Sequence, residues 1–348
     1  MTIRSGGGQG DPMPILFRVA GGVALPDGRI ALLNGGSREL LFYGADGTHL
    51  TSAGGPGGGP GEWLEPTWMN RGGPDTLLVW DETHRRLSMH DEAGGYLGSQ
   101  QIGTDGGVGM GPSTISGRFR DGSLLTIPGG LVATPPPVGI QRSPESYGRL
   151  VLGTGRSTVL ARGRGAERAV ADERWYYLPF GKNDQTAALG GVLVVGDNGH
   201  SRLLYFGMDS RLRRVVTWIS EPSPVTTADR EAYRAHMASI SPRAVPPDGA
   251  IYAEDRPRFA TLQSDRLGWL WVRQYAAGWE SPAPWLVFDE AGVLQCSVEA
   301  PGRVRPLEIG ADYLLAVHRD DQDEETVVKY RLDRRGIQES SAVARGSR

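Results

Sequence analysis

Arg256 and Arg258, separated by a single proline, could hold a carboxylate or a phosphate between two guanidinium groups. In an extended chain, residues two apart point to the same side, so both side chains could reach one site. Four more residues could join them: Arg273, Trp279, His318 and Arg319. The alternative is a set of ordinary surface ion pairs with the acidic neighbours Glu254, Asp255, Asp320 and Asp321.

Motifs for nucleophilic catalysis or nucleotide binding are absent from the sequence. The glycine-rich stretch 54–61 is not followed by Lys-Ser or Lys-Thr, so a phosphate-binding loop is not expected there. No Gly-x-Ser-x-Gly segment occurs, and the single cysteine, Cys296, lies in an apolar segment typical of a buried residue. One cysteine can form neither an intramolecular disulfide nor a thiolate metal site.

Composition narrows the class of protein. The 348 residues include 51 Gly and 24 Pro, together with nine Trp, eleven Tyr and seven Phe, which indicates many short strands and tight turns rather than disorder. The net charge of −3 is spread along the chain without a basic stripe, so we expect no nucleic-acid binding. No apolar run approaches the roughly 20 residues of a membrane span, and residues 1–12 contain no segment typical of a secretory signal.

Turn pairs recur along the whole chain in two interleaved series. Asp27 and Asp75 lie 48 residues apart in one series, and Asp46 and Asp91 lie 45 residues apart in the other. Intervals of this length are typical of a four-stranded propeller blade. With six turns in each series, the sequence predicts an all-β, six-bladed β-propeller of four-stranded antiparallel blades. A seventh blade stays possible if a longer interval hides a degenerate one.

One helix is predicted inside the repeat, at about residues 226–240. Thr226 and Asp229 have the spacing of a capping box, and Tyr233, Met237 and Ile240 share one face. We therefore predict an N-terminal segment, 1–13, that is disordered or extended, a propeller over 14–335 with this helical insertion, and a C-terminal tail over 336–348.

From residue 15 to residue 332 the sequence resembles the NHL/TolB-like six-bladed propellers, and in particular uncharacterised bacterial proteins of that type. The resemblance is carried by residues 23–30, 39–47, 57–63, 80–87 and 265–273. It implies the fold, and it implies an extracytoplasmic location, periplasmic or secreted, because many relatives look exported. It implies little about activity.

Other propellers of this shape are hydrolases or lactonases that hold calcium at the axis with Glu, Asn and Asp side chains. The residues of this chain that could supply such oxygen atoms are Asn34, Glu62, Glu65, Asn70, Asp197 and Asn198. They do not match that family's motif position by position. A calcium-dependent hydrolase with its site at the central channel is therefore the alternative prediction.

Loop lengths favour one face of the predicted disc. The A–B and C–D hairpins share one face and are mostly tight, whereas the B–C and D–A connections share the other and include long segments. Long loops in compact domains are often functional. We thus predict a monomeric binding propeller without a cofactor, whose small-molecule or protein partner binds the face with the B–C and D–A loops, with Trp279 and residues 134–138 adding contact area.

A three-histidine metal site is not expected. His84, His200 and His318 fall in B–C loops of alternate blades, where a zinc site would be the functional interpretation. Strands about 4.8 Å apart place such loops far from the axis, so the three residues would be on the order of 20 Å from one another.

Overall fold

The computed structural model describes residues 1–6, 13–103, 113–128, 137–171, 174–241, 249–276, 282–300, 302–320 and 322–334. Within these residues the chain forms six four-stranded antiparallel sheets, one three-stranded sheet and one helix. The four-stranded sheets are the blades, numbered one to six along the chain.

Blades one to three use the strands of the first half of the chain. Blade one contains β2 (Val19–Ala24), β3 (Ile30–Asn34), β4 (Glu39–Tyr43) and β5 (His49–Gly54). Blade two contains β6 (Pro66–Gly73), β7 (Thr76–Asp81), β8 (Arg86–Asp91) and β9 (Tyr96–Gln101). Blade three contains β10 (Ser113–Arg118), β11 (Leu124–Pro128), β13 (Glu145–Val151) and β14 (Arg156–Gly163).

Blades four to six use the second half and the N-terminus. Blade four contains β17 (Asp184–Leu189), β18 (Val192–Asp197), β19 (Arg202–Gly207) and β20 (Leu212–Thr217). Blade five contains β21 (Phe259–Ser264), β22 (Leu270–Gln274), β23 (Pro284–Phe288) and β24 (Leu294–Glu299). Blade six contains β25 (Val304–Ile309), β26 (Tyr313–Arg319), β27 (Glu325–Arg331) and, as its fourth strand, β1 (Thr2–Ile3).

The tight hairpins follow from their turn residues. Gly28 and Gly47 have φ angles of 91° and 92°, which side chains other than glycine rarely adopt. The side chains of Asp27 and Asp46 accept hydrogen bonds from the backbone two residues on, which favours the turn further.

Six apolar clusters fill the spaces between neighbouring blades and close the ring. Representative buried residues, in order from the blade one–two interface to the blade six–one interface, are Trp63, Trp80, Tyr147, Phe259, Trp285 and Val317. Each blade therefore buries both faces against its neighbours, as a propeller requires. The fold class predicted from the sequence, a β-propeller with one short helical insertion, is confirmed.

The long connections contain a seventh sheet, which is not a blade. It consists of β12 (Gly139–Arg142), β15 (Glu167–Ala171) and β16 (Arg174–Tyr177), in the order β12-β15-β16. β12 comes from the B–C connection of blade three, and the other two strands come from the connection between blades three and four. We call this sheet, together with helix α1 (Thr227–Ile240), the cap.

Helix α1 begins where the sequence indicates. The Thr226 hydroxyl accepts from the Asp229 backbone N–H at 3.2 Å, and the Asp229 carboxylate accepts from the Thr226 backbone N–H at 2.7 Å. This reciprocal pair is the predicted capping box.

A buried histidine makes the stability of the propeller depend on pH. His90, between blades one and two, is 1% exposed and lies against Trp63. Burial lowers its pKa from 6.5. Below pH 6.5 the unfolded chain therefore takes up a proton that the folded chain does not, so stability falls as the pH decreases toward the folded-state pKa.

We expect urea unfolding to give a lower free energy at pH 5.5 than at pH 7.5, and we expect His90→Gln to reduce that difference. An unchanged difference in His90→Gln would assign the pH dependence to other groups.

Candidate functional site

The cap presents an aromatic cluster, which we define as Tyr177, Phe180, Tyr233 and Tyr252. Tyr177 stacks on Tyr233 with ring centroids 6.5 Å apart, and Phe180 contacts both Tyr233 and Tyr252. None of the four is fully buried, and Tyr177 is 76% exposed. The cluster joins the cap sheet, the helix and the segment before blade five into one surface.

Two tyrosines of the cluster, Tyr177 and Tyr233, have raised pKa values and are uncharged near neutral pH. Burial, together with the neighbouring Tyr177 and Tyr252, raises the pKa of Tyr233 to about 12. The Arg230 guanidinium lies 5.3 Å from the centroid of the Tyr252 ring, which is a cation–π arrangement. The surface therefore combines aromatic area, phenol hydroxyls and one cation.

The cap and its flanking connections also contain other exposed apolar side chains. Large apolar residues that are at least two-fifths exposed in the cap and its flanking connections are Val138, Ile140, Tyr176, Ile219 and Ile251. Of the predicted contact loop 134–138, only residues 137 and 138 are described, and Val138 is 76% exposed.

The cap sheet is attached to blade four through Arg142. Its guanidinium donates to the carbonyl oxygen of Gly165 and to the carboxylate of Asp197, at 2.6 Å and 3.0 Å for the shorter bonds. Two further carboxylates, those of Asp184 and Glu167, lie 3.7 Å and 3.9 Å away. Arg142 is thus a nearly buried cation among three carboxylates, its side chain 11% exposed.

Arg256, predicted to bind ligand, anchors the helix. Its Nη2 lies 2.6 Å from Oδ2 and 2.7 Å from Oδ1 of Asp229, the capping residue of α1. It also donates to Ser223 Oγ at 3.3 Å. With this charge engaged inside the protein, Arg256 positions the cap.

Arg273 differs from Arg256, since its side chain forms no hydrogen bond or ion pair within the described part of the chain. It is partly buried near the end of β22, and this burial lowers the pKa of its guanidinium. Tyr275, two residues on, lies close enough to Tyr177, Tyr233 and Arg256 for their charges to act on its pKa, which is raised to about 12 mainly by burial. The free cation therefore lies beside the cap.

The other predicted ligand residues are distributed as follows. Arg258 donates from its guanidinium to the carbonyl oxygen of Glu221. Arg319 pairs with buried Glu325 at 2.7 Å. His318 pairs in register with Thr326 on β27, and Trp279 lies outside the described residues. No hydrogen bond or ion pair among the described residues joins Arg256, Arg258, Arg273, His318 and Arg319 to one another.

Three B–C turns share a brace that involves some of the predicted calcium ligands. At the end of β3, Asn34 accepts from the Phe17 N–H at 2.9 Å. Asp81 accepts from the Leu64 N–H, and Asn198 from the Asn183 N–H, each at 2.8 Å. Each side chain holds the segment that enters the inner strand of its own blade.

The remaining predicted calcium ligands also have local partners. Glu62 accepts from the Gly59 N–H, Glu65 accepts from the Thr83 hydroxyl, and Asn70 accepts from the Arg71 N–H. Asp197 pairs with Arg142. Across the described ranges, no group of three or more His, Cys, Asp and Glu side chains converges in a metal-ligand arrangement.

Of the three histidines predicted in B–C loops, His318 lies instead within strand β26, because that strand continues to Arg319, and the other two pair with the aspartate three residues earlier. His84 Nδ1 lies 2.7 Å from Asp81, and His200 Nδ1 lies 3.5 Å from Asp197. Each belongs to its own B–C turn.

The aromatic cluster was not predicted as a unit from the sequence. Tyr233 was predicted on an apolar helix face, but Tyr177 and Phe180 come from a different connection, the one between blades three and four, and Tyr252 lies 19 residues after Tyr233. The run Trp175-Tyr176-Tyr177 was the available signal, because three consecutive aromatic residues are unusual in a surface connection.

Comparisons with known proteins support the fold alone. Neither a scan against protein-family models nor a search of curated proteins finds a match. Among solved structures, a putative exported protein from Bacteroides fragilis is similar at a TM-score of 0.53 and 10% identity, covering 96% of this chain and 94% of that chain. A member of the DUF4221 family from Bacteroides vulgatus is similar at a TM-score of 0.54 and 10% identity, covering 94% of each chain.

Regucalcin, a calcium-binding protein from Agrobacterium tumefaciens, is similar at a TM-score of 0.47 and 16% identity, covering 91% of this chain and 92% of that chain. At these identities the comparisons assign no activity. Within the described residues, no helix is long and apolar enough to cross a membrane.

Proposed function

We propose that this chain is a non-enzymatic binding propeller whose polypeptide partner docks on the cap. The observation that carries the proposal is the aromatic cluster, four rings in mutual contact of which none is fully buried. Tyrosine and arginine are enriched among residues that dominate binding energy at protein interfaces. A cluster of partly exposed aromatic rings on a folded protein favours an interaction site.

The cap is held in place as a binding surface should be. Arg142 attaches the cap sheet to blade four, and the Arg256–Asp229 pair attaches the helix. A surface fixed by ion pairs and ring contacts loses less conformational entropy on binding than a mobile loop does. Arg273, with no internal partner in the described residues, is proposed to meet a carboxylate of the partner, and Trp279 to add contact area.

Two further parts of the proposal concern the family of the protein and its location in the cell. We infer an NHL/TolB-like six-bladed propeller that acts as an extracytoplasmic monomer. Its support is the resemblance of the sequence segments and the exported protein among the similar structures.

The proposal predicts that Tyr177 is required for peptide binding. A random peptide library displayed on phage is selected against the wild-type protein, and the enriched peptides are measured by fluorescence anisotropy. We expect Tyr177→Ala to raise Kd about five- to thirtyfold, since removing one hot-spot aromatic costs about 1–2 kcal/mol.

Leu97→Ala is the control, because Leu97 is 58% exposed on β9, the outer strand of blade two. It should change Kd less than about twofold. The proposal fails if no peptide is enriched, or if the enriched peptides bind Tyr177→Ala as tightly as the wild type.

The calcium-dependent hydrolase stays the alternative prediction. A specific calcium site would stabilise the folded state in proportion to the logarithm of calcium concentration. A thermal-shift titration with calcium, with magnesium at matched ionic strength as the control, distinguishes the alternatives. We expect the two titrations to coincide, and a calcium-specific rise in Tm would favour the hydrolase.

A further inference from the structure

A cavity of about 520 Å³ occupies the propeller axis. Its walls include residues of the inner strand of every blade, namely β2, β6, β10, β17, β21 and β25. Residues of the A–B turns, such as Arg120, Gly190 and Arg266, also line it. The cavity therefore reaches the face of the tight hairpins, opposite the B–C and D–A connections that form the cap.

The lining carries more cations than anions. Five arginines line the cavity, Arg71, Arg118, Arg120, Arg266 and Arg305, against two carboxylates, Asp265 and Glu308. Glu308 accepts from the Tyr313 hydroxyl and from Arg266, each at 2.6 Å. Asp265 pairs with Arg334 at 2.9 Å and accepts from the Trp271 indole N–H at 3.0 Å. Neither carboxylate is free to bind another cation.

Within the described ranges, two of the five guanidinium groups have no carboxylate partner. Arg71 pairs with Glu92, Arg120 with Glu290 and Arg266 with Glu308. In the same ranges, Arg118 donates only to the carbonyl oxygen of Gly72, and Arg305 only to that of Val19.

Burial makes it energetically unfavourable for the guanidinium groups of Arg118 and Arg305 to lack a carboxylate partner. Burial lowers the pKa of both guanidinium groups, although Asp121 acts in the opposite direction on Arg118 and Glu325 on Arg305. The Nε of Arg118 is buried and finds no acceptor in the part of the chain that the structure describes. An anion in the cavity would supply the missing charge and the missing acceptor.

Two residues with hydroxyl groups line the same cavity as Arg118. Ser116, two residues earlier on β10, is exposed to the cavity, and Thr186 lines it from the adjoining blade. Neither side chain has a hydrogen-bond partner among the described residues. Hydroxyl donors next to a guanidinium group suit the oxygen atoms of a carboxylate or a phosphate.

We infer that the axial channel binds a small anion, a carboxylate or a phosphate, which enters from the hairpin face and is held at Arg118. This site lies apart from the cap and does not depend on the function proposed there. Low-dielectric walls focus the electrostatic field of the arginines into the cavity. The resulting positive potential favours anions over neutral molecules of the same size.

The test uses citrate and inorganic phosphate as probes in isothermal titration calorimetry at low salt, with neutral glycerol as the ligand control. The key variants are Ser116→Glu and Ser116→Gln, which have nearly the same size and differ in charge. Neither removes a contact among the described residues. Citrate and phosphate distinguish a carboxylate ligand from a phosphate ligand.

We expect saturable binding of at least one anion to the wild type, weakened by added NaCl. Ser116→Glu should lower the affinity at least about tenfold, because its carboxylate occupies Arg118, whereas Ser116→Gln should retain binding within about threefold. Arg118→Gln should lose binding as Ser116→Glu does. Binding of cap-selected peptides should not change in any of the three variants, so failure of this site and failure of the cap proposal are distinguishable.

Two results would overturn the inference. One is the absence of saturable binding of either anion to the wild-type protein. The other is wild-type affinity in Ser116→Glu, which would place the bound anion elsewhere.

Discussion

Replacing Arg142 with alanine is expected to lower the free energy of unfolding by about 3–5 kcal/mol. Three carboxylates surround this guanidinium, and the side chain of Asp184 is only 2% exposed. Removing a nearly buried cation leaves its partners charged and poorly solvated. The loss therefore exceeds the usual worth of a surface ion pair.

The matched control is a second arginine that pairs with one of the same carboxylates. Arg164 also pairs with Asp197, at 3.3 Å, but its side chain is 63% exposed. Arg164→Ala should cost less than about 1 kcal/mol, because solvent replaces the lost interaction. Urea unfolding followed by tryptophan fluorescence gives both values, and hydrogen exchange at β15 shows whether the cap opens on its own.

A double variant that should regain part of the lost stability tests whether uncompensated carboxylates cause the loss. In the double variant Arg142→Ala/Asp184→Asn, the removed charge is that of a buried carboxylate with no other cation partner among the described residues, so this variant should be more stable than Arg142→Ala alone. Equal stability of Arg142→Ala and Arg164→Ala would contradict the role assigned to Arg142. Loss of the cap in Arg142→Ala should also abolish peptide binding, even though Arg142 is not part of the aromatic cluster.

The blades could be predicted from the sequence because their signals are local. Two residues, as in Asp27-Gly28, are enough to predict a hairpin turn, and the apolar runs on either side of the pair predict its two strands. Helix α1 has a comparable local signal, the Thr226–Asp229 capping box. Each of these signals is contained in a few consecutive residues, so the turn, the strand or the helix can be predicted without knowing any long-range contact.

The cap could not be predicted in the same way. Its three strands come from two separate connections, and Ile140 pairs with Ala169 only because the propeller brings these connections together. A seventh blade was the sequence interpretation left open for such insertions, and a small three-stranded sheet is what they form. Arg142 has no distinguishing sequence context, since its three carboxylate neighbours lie 25 to 55 positions away.

The type of a residue did not by itself show whether that residue belongs to a binding site or has a structural role. Asn34 and Asn198 have the oxygen atoms that calcium prefers, yet the same atoms accept backbone N–H groups at the B–C turns. Arg118 gave no signal in the sequence, because its significance depends on facing the axis without a carboxylate partner. Which arginines are paired and which are free is a property of the assembled ring.

Replacing Ile3 with alanine is expected to cost about 2–5 kcal/mol, the usual range for truncating a buried isoleucine. Ile3 is 0% exposed and packs with Val317 and Val327 in the cluster between blades six and one. It pairs with Val327 as half of the two-residue strand β1, the outer strand of blade six. Two residues are too few for a strand signal, which is why the sequence predicted only a disordered or extended segment here.

Thr2 supplies the control, because it belongs to the same strand but its side chain is exposed. Thr2→Ala should change the free energy of unfolding by less than about 0.5 kcal/mol, and Ile3→Val should fall between the two variants. Urea unfolding of the three variants measures the effect. Equal stability of Ile3→Ala and Thr2→Ala would mean that β1 does not help to close the ring. A large difference would show that the pairing of β1 with β27 holds blades six and one together.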